Sequence, residues 1–188
     1  MKKRNTCLIC LQGLSGSGKT TVANFLASTL NIPVYHSDVE RKKLFGLSPT
    51  ENSSLANLDI YTKEATIRTF QKLYELAFEE LSAQQSVLVD AAFLRHHERL
   101  RMQQLARDTG ALFLIVKCQA GQQIMIDRIR TRQHLGNDPS EASEDLIHKQ
   151  KQWQEALTSD ELQTCIKVFT EEKNWQETLL QRIYRYIS

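Results

Sequence analysis

The sequence predicts an α/β domain, with a mostly parallel sheet covered by helices on both faces. Two observations carry this expectation. Short apolar runs alternate with helical patterns along all 188 residues, and strands joined by helical crossovers pair in parallel and are covered on both sides. In addition, Gly13-Leu-Ser-Gly-Ser-Gly-Lys-Thr20 fits G-x-x-x-x-G-K-[ST] completely, between a predicted strand and a predicted helix, which is the context that motif requires. The length suits one domain with a real core, spanning 1–188, and is too short for two full-sized ones.

The first strand is Thr6–Leu11, an apolar run. Its basic lead-in resembles a secretory signal, but the apolar stretch Cys7–Leu11 stops at Gln12 and Gly13, short of the about 7–15 residues a signal core needs. A cytoplasmic location follows as the expectation, and the four cysteines suit it as reduced thiols. Cys7 and Cys10 form a CxxC, yet residues three apart on a strand point to opposite faces, so both read as core thiols. A helix over Thr20–Leu30 follows the glycine-rich segment. Val34–Tyr35 is a short second strand, leading into a helix over Asp38–Phe45. In the helix predicted over Ile60–Ala83, Ile67, Phe70, Leu73, Tyr74, Ala77, Phe78 and Leu81 recur at helical spacing. Ser86–Asp90 is a third strand, whose continuous apolar run suits burial on both faces. A helix over His97–Thr109, a strand over Leu112–Lys117, and helices over Gln122–Arg132 and Glu144–Ala156 follow, the last capped by Ser143. Cys165–Phe169 and a helix over Asn174–Tyr186 close the chain. Trp153 and Trp175 are assigned to packing.

Charge and hydropathy exclude several classes. No apolar run approaches the roughly 18 residues of a membrane span. With 24 basic against 22 acidic side chains, a net charge of +2 argues against a protein that wraps long nucleic acid by bulk charge.

Ligands of parallel sheets collect at the carboxyl ends of the strands, and each such end here carries candidate chemistry. In the Gly13–Thr20 loop, amides at a helix N-terminus form a positively polarised nest for phosphate. Gly13, Ser15, Gly16, Ser17, Gly18, Lys19, Thr20 and Thr21 are the expected nucleotide contacts. Lys19 is placed on the β- and γ-phosphates of ATP, and the Thr20 hydroxyl on Mg²⁺. From average residue usage, a chance match arises roughly once in a hundred such chains. At the second strand end, Asp38 is placed to accept or orient the proton of an attacking hydroxyl; the simpler alternative is a helix cap. Arg41 shares a helical face with Asp38 and either holds an anionic acceptor or pairs with Asp38. At the third, Asp90 is the expected second metal-side acid, and Arg95 a further acceptor contact. His96-His97-Glu98 is not the metalloprotease pattern, and adjacent histidines diverge by about 100° on a helix, so they read as surface residues. Arg128 and Arg132, four apart, share one helical face at the hinge of a turn-rich segment. There they are expected to close over the triphosphate as part of a helical lid at about 128–157.

The set GLSGSGKT, HSDVERKKLFGL, VLVDAAFL and DRIRTRQ…NDPSEAS resembles the P-loop kinases of the zeta-toxin and polynucleotide-kinase-like group. It is most similar to their stand-alone AAA domain kinases, also found fused behind aminoglycoside phosphotransferase-like domains. The resemblance runs from about Thr6 to Leu157. It implies a doubly wound five-stranded parallel sheet of nucleoside-kinase-like P-loop NTPase type, and ATP- and Mg²⁺-dependent phosphorylation of a hydroxyl. It casts Asp38 as the base, Arg41 as an acceptor contact, Asp90 as the Mg²⁺-side acid, and Arg128 and Arg132 as lid arginines. One departure is Ala92, where related chains often carry Thr or Ser; this questions how Asp90 is supported.

The guanine-reading N-K-x-D and the D-x-x-G switch of GTPases are both missing from the sequence. A kinase is therefore expected, with a catalytically idle ATP-binding switch module as the alternative. Near-neutral charge and the lack of aromatic–basic interleaving favour a small-molecule acceptor over a polynucleotide 5′-hydroxyl. The loop Ser48–Asp59, with Asn52, Ser53, Ser54 and Asn57, and the helix after it are expected to line the acceptor pocket. The protein is expected to be a monomer or homodimer with no membrane partner.

Overall fold

The computed structural model describes residues 5–51, 53, 58–135 and 144–187. Five strands, β1 (Cys7–Gln12), β2 (Val34–His36), β3 (Val87–Asp90), β4 (Leu112–Gln119) and β5 (Cys165–Phe169), form one sheet in the order β2-β3-β1-β4-β5. All four pairings are parallel. The helices are α1 (Lys19–Leu30), α2 (Ser37–Leu44), α3 (Lys63–Ser82), α4 (His96–Thr109), α5 (Gln122–Leu135), α6 (Glu144–Trp153), α7 (Ser159–Gln163) and α8 (Trp175–Ile187). No described helix is long and apolar enough to cross a membrane.

The strand residues sort by parity onto two cores. Ile9 and Leu11 pack with Val22 and Leu26 of α1 and with Leu179 and Ile183 of α8. Leu8 and Cys10 pack on the other face with Leu73, Ala77 and Leu81 of α3 and Met102 and Leu105 of α4. β1 and β3 are buried on both faces, which is why they read as unbroken apolar runs. Cys7 joins the first core and Cys10 the second, so their sulfurs diverge. Burial pushes the Cys7 thiol up to about 12 and raises Cys10 well above the ordinary thiol range, which keeps both unreactive. Trp175 meets Phe25 edge to face, with ring centroids 5.3 Å apart.

The main departures from expectation lie in α3, α5, α6 and α7. The helix expected from Ile60 starts at Lys63, because the Thr62 hydroxyl accepts from the Ala65 amide at 3.1 Å and Ile60 is buried outside the helix. α6 ends at Trp153, and the following chain folds back so that the Glu155 amide donates to Leu94 O at 2.9 Å. α7 is not among the expected helices, although its signal is present. Thr158 and Glu161 form a capping box, with Thr158 N donating to the Glu161 carboxylate at 2.8 Å and Glu161 N to Thr158 Oγ1 at 3.2 Å. α5 runs past the expected end at Arg132 to Leu135 and takes in the first two residues of the expected turn-rich stretch 134–142, because no helix breaker precedes Gly136; the rest of that stretch and the Ser143 cap lie outside the described residues.

A buried ion pair ties this returning segment to α4. Arg99 of α4 is fully buried; its Nε donates to Glu161 Oε1 at 2.7 Å and its Nη2 to Glu161 Oε2 at 3.2 Å. The same guanidinium donates to the carbonyls of Phe93 at 3.1 Å, Leu94 at 3.0 Å and Ala156 at 3.1 Å. Phe93 adopts φ 45°, a strained conformation for an aromatic residue, and Arg99 holds its carbonyl.

Candidate active site

Lys19, Thr20, Asp38, Arg41, Asp90 and Arg95, at or after carboxyl-terminal strand ends, and Arg128 and Arg132 of α5 all line one cleft of about 1530 Å³. The phosphate loop joins β1 to α1. Its base is fixed by Gly13 N donating to Ala92 O at 3.1 Å and Ser17 N to Leu14 O at 3.1 Å. Residue 92 supports the loop through its carbonyl, and the side chains that partner Asp90 are Thr20 and His36.

Gly16 and Gly18 have φ 80° and 86°, in the left-handed region that disfavours side chains. A Cβ at Gly16 would lie 2.5 Å from Met125 O, so close approach as well as torsion demands glycine. Gly16→Ala is expected to reduce nucleotide affinity at least about tenfold, from roughly 1–2 kcal/mol of backbone strain; calorimetry with AMPPNP checks it.

Two further contacts organise the loop. Lys19 Nζ donates to Leu14 O at 2.9 Å, curling over the loop. Burial lowers the Lys19 pKa; Asp90 and Asp38 oppose this and Arg132 reinforces it. All three charges therefore act on one ammonium. The Ser15 amide donates to Gln150 Oε1 of α6 at 2.7 Å. A neutral amide oxygen there occupies a donor that a phosphate oxygen uses better. Gln150→Ala is expected to tighten AMPPNP binding by about fivefold, the worth of one neutral hydrogen bond. Weaker binding in the same titration would show that Gln150 contacts the nucleotide directly.

Asp90, at the end of β3, is buried and holds two partners. Thr20 Oγ1 donates to its Oδ2 at 2.9 Å, and His36 Nδ1 lies 2.8 Å from the same oxygen. The hydrogen bond to Asp90 raises the His36 pKa above the ordinary imidazole value, against the effect of burial. His36 is a site residue that the sequence does not single out. It sits at the last position of β2, beside Asp90 in the β2–β3 register, and only strand pairing brings the two together. The adjacent hydroxyl and carboxylate oxygens of Thr20 and Asp90 suit Mg²⁺, which takes one or two protein ligands and fills its shell with phosphate oxygens and water. Among the described residues no cluster of three or more His, Cys, Asp or Glu could hold a metal by itself.

Asp38 stands in the first turn of α2 and lines the cleft. Its charge acts on Lys19, His36 and Arg41. Arg41, on the same helix, is buried; its Nη1 donates to Ile60 O at 3.0 Å and to Thr66 Oγ1 at 3.3 Å, and its guanidinium lies over the Tyr61 ring. Burial lowers its pKa, with Asp38 opposing. Arg95 is exposed at the start of α4 and borders the cleft. Arg132 also lines it.

Arg128 faces the cleft but is engaged at the back of the loop. Its Nη1 donates to Gly16 O at 3.1 Å and Thr170 Oγ1 at 2.8 Å, and its Nη2 to Thr170 O at 3.2 Å. Arg130 projects elsewhere and pairs with Glu144 at 2.6 Å on the surface. Trp153, assigned to packing from sequence, is 44% exposed and forms part of the cleft wall, because α6 turns that face away from its contacts with Met125 and Ile129. Tyr61, Lys63, Thr66, Ile67 and Phe70, just before and within the first half of α3, line another part of the cleft. The described residues of the loop 48–59 do not line it, Ser53 being buried; Asn52, Ser54 and Asn57 lie outside the described residues.

The profile of the AAA domain family matches residues 8–157, most of the chain. The chain belongs to the AAA domain family. No curated protein matches it by sequence. Solved structures match this AAA-domain chain at low identity. A candidate kinase from Chloroflexus aurantiacus superposes with TM-score 0.73 at 19% identity, over 98% of this chain and 100% of its own. Kti12 of Chaetomium thermophilum, solved with ADP-AlF3, gives 0.72 at 14%, covering 96% and 99%. APS kinase of Mycobacterium tuberculosis, solved with AMPPNP and APS, gives 0.66 at 18%, covering 98% and 99%. At such identities the likeness establishes the fold, which is that of P-loop NTPases with kinase-like architecture.

Proposed function

We propose that this AAA-domain chain is a kinase that moves the γ-phosphoryl group of ATP to a hydroxyl of a small-molecule acceptor. The observation that carries the reading is the convergence of Lys19, the Thr20–Asp90 pair and Asp38 on one cleft. A switch or binding module needs the first two groups; a carboxylate beside them, facing an open pocket, is what transfer requires. The nucleotides bound by Kti12 and APS kinase support adenine nucleotide as the donor.

The loop amides of Ser15 to Thr20 cradle the β- and γ-phosphates, and Lys19 neutralises charge spreading onto the leaving oxygen. Thr20 and Asp90 would hold Mg²⁺, which would supply positive charge to stabilise the transferring phosphoryl group. Asp38 takes the proton of the acceptor hydroxyl as its oxygen bonds to the γ-phosphorus and the bond to the bridging oxygen of ADP breaks. Arg132 offers charge at the lid side, and α6 with Trp153 screens the cleft from water.

The test is a metabolite-library phosphorylation screen read by mass shift, with Lys19→Ala as the blank. An 80 Da gain on a small hydroxyl compound, lost in Lys19→Ala, is the expected result; 80 Da is about the mass of an added HPO₃. Transfer only to oligonucleotide 5′ ends would favour the polynucleotide-kinase alternative, and hydrolysis without transfer to any acceptor the switch.

A further inference from the structure

The acceptor half of the cleft carries more positive charge than a neutral alcohol needs. Eight Lys or Arg side chains line the whole cleft against four Asp or Glu, in a chain whose net charge is only +2. Lys19, Arg128, Arg132 and Lys149 stand on the side of the phosphate loop, α5 and α6. Arg41, Lys63, Arg95 and Arg101 stand on the other side, on or at the ends of α2, α3 and α4. A triphosphate in the loop does not account for this second set. Asp38 and Glu98 are the acids facing it.

Arg41 shows a built site. It is 7% exposed, and its Nη1 is pinned by Ile60 O and Thr66 Oγ1. Its Nε is buried with no hydrogen-bond partner among the described residues. A buried guanidinium with an unused donor is costly unless something accepts from it. Arg101 is braced over the Tyr74 ring and bonded to Gln71, while Lys63 is exposed and makes no ion pair among the described residues. Tyr61 and Ile67 add exposed apolar surface beside these cations, at 42% and 59% exposure.

We infer that the acceptor is a small organic anion, a hydroxyl compound carrying a phosphate monoester or carboxylate that Arg41, Lys63 and Arg101 hold, with its carbon skeleton against Tyr61 and Ile67. This rests on the kinase reading and narrows its substrate class. The guanidiniums and ammonium fix the anionic end, which leaves the hydroxyl end to turn toward Asp38.

The test uses protein preloaded with AMPPNP and Mg²⁺, so that the phosphate loop is filled. Ribose 5-phosphate, gluconate and ribose are then titrated calorimetrically. At least one charged probe is expected to bind at least about tenfold more tightly than ribose, the preference one charge-assisted contact confers. Arg41→Gln and, separately, Lys63→Gln are each expected to remove most of that preference. Arg41 is buried and its loss can disturb packing, whereas Lys63 is exposed, so the second variant reads the site without that risk. Equal or absent binding of both charged probes, or unchanged preference in Lys63→Gln, overturns the inference while leaving the kinase reading in place. Failure of AMPPNP to load overturns both. A 5′-hydroxyl oligonucleotide that binds more tightly than either charged probe, with the same dependence on Lys63, overturns the small-acceptor assignment.

Discussion

Asp38→Asn is expected to lower phosphoryl transfer by about 10²–10⁴-fold, the usual worth of a positioned general base, while changing AMPPNP affinity less than about threefold, since the loop and Lys19 hold the phosphates. Asparagine keeps the shape and the α2 first-turn position but cannot take a proton. The carboxylate sits where Lys19, His36 and Arg41 all feel its charge, so the variant also removes a charge that favours the ammonium form of Lys19. Binding and transfer must therefore be measured separately, by calorimetry and by single-turnover assay with labelled ATP. Wild-type turnover in Asp38→Asn would show that the base assignment is wrong. Loss of binding equal to the loss of transfer would show instead that Asp38 acts through Lys19.

Arg99→Met is expected to destabilise the fold by about 3–5 kcal/mol, because it leaves Glu161 buried without its cation. For a chain of this size that is a fall in melting temperature of roughly 10 °C, read by calorimetric or circular-dichroism melting. The pair is fully desolvated and bidentate, which distinguishes it from the exposed Arg130–Glu144 bridge, where both partners face water and removal should change little. Adding Glu161→Gln to Arg99→Met should recover part of the loss, since the stranded charge is then gone. A double variant no more stable than the single one would place the effect in Arg99's bonds to Phe93, Leu94 and Ala156.

The same pair sets an acid limit. Burial works to raise the Glu161 pKa, but the Arg99 guanidinium and the Thr158 amide outweigh it and hold the carboxyl below the usual carboxylate value. A carboxyl depressed in the folded state contributes stability above its unfolded pKa of about 4.3 and loses it as pH falls through the lower folded value. The wild-type stability should therefore fall below about pH 4.5, and Arg99→Met should show a weaker dependence in that window.

Much of the site is legible in the residue order. The loop Gly13–Thr20 is contiguous, so its chemistry follows from that order alone, as do the positions of Asp38 and Asp90 at the ends of short apolar strands. The divergence of Cys7 and Cys10 needs only the two-residue repeat of a strand. Trp153 escapes such reasoning because helical spacing says which residues share a face, not which face meets a neighbour.

Local periodicity and motif order are thus enough for the α/β alternation, the parallel sheet and the phosphate cradle, since each arises from residues within a few positions of one another. Packing alone decides the contacts across the chain: His36 against Asp90, 54 residues apart, Arg99 against Glu161, 62 apart, and Gln150 over the Ser15 amide, 135 apart. No sequence spacing encodes those meetings, because they depend on strand order in the sheet and on how the returning helices close over it.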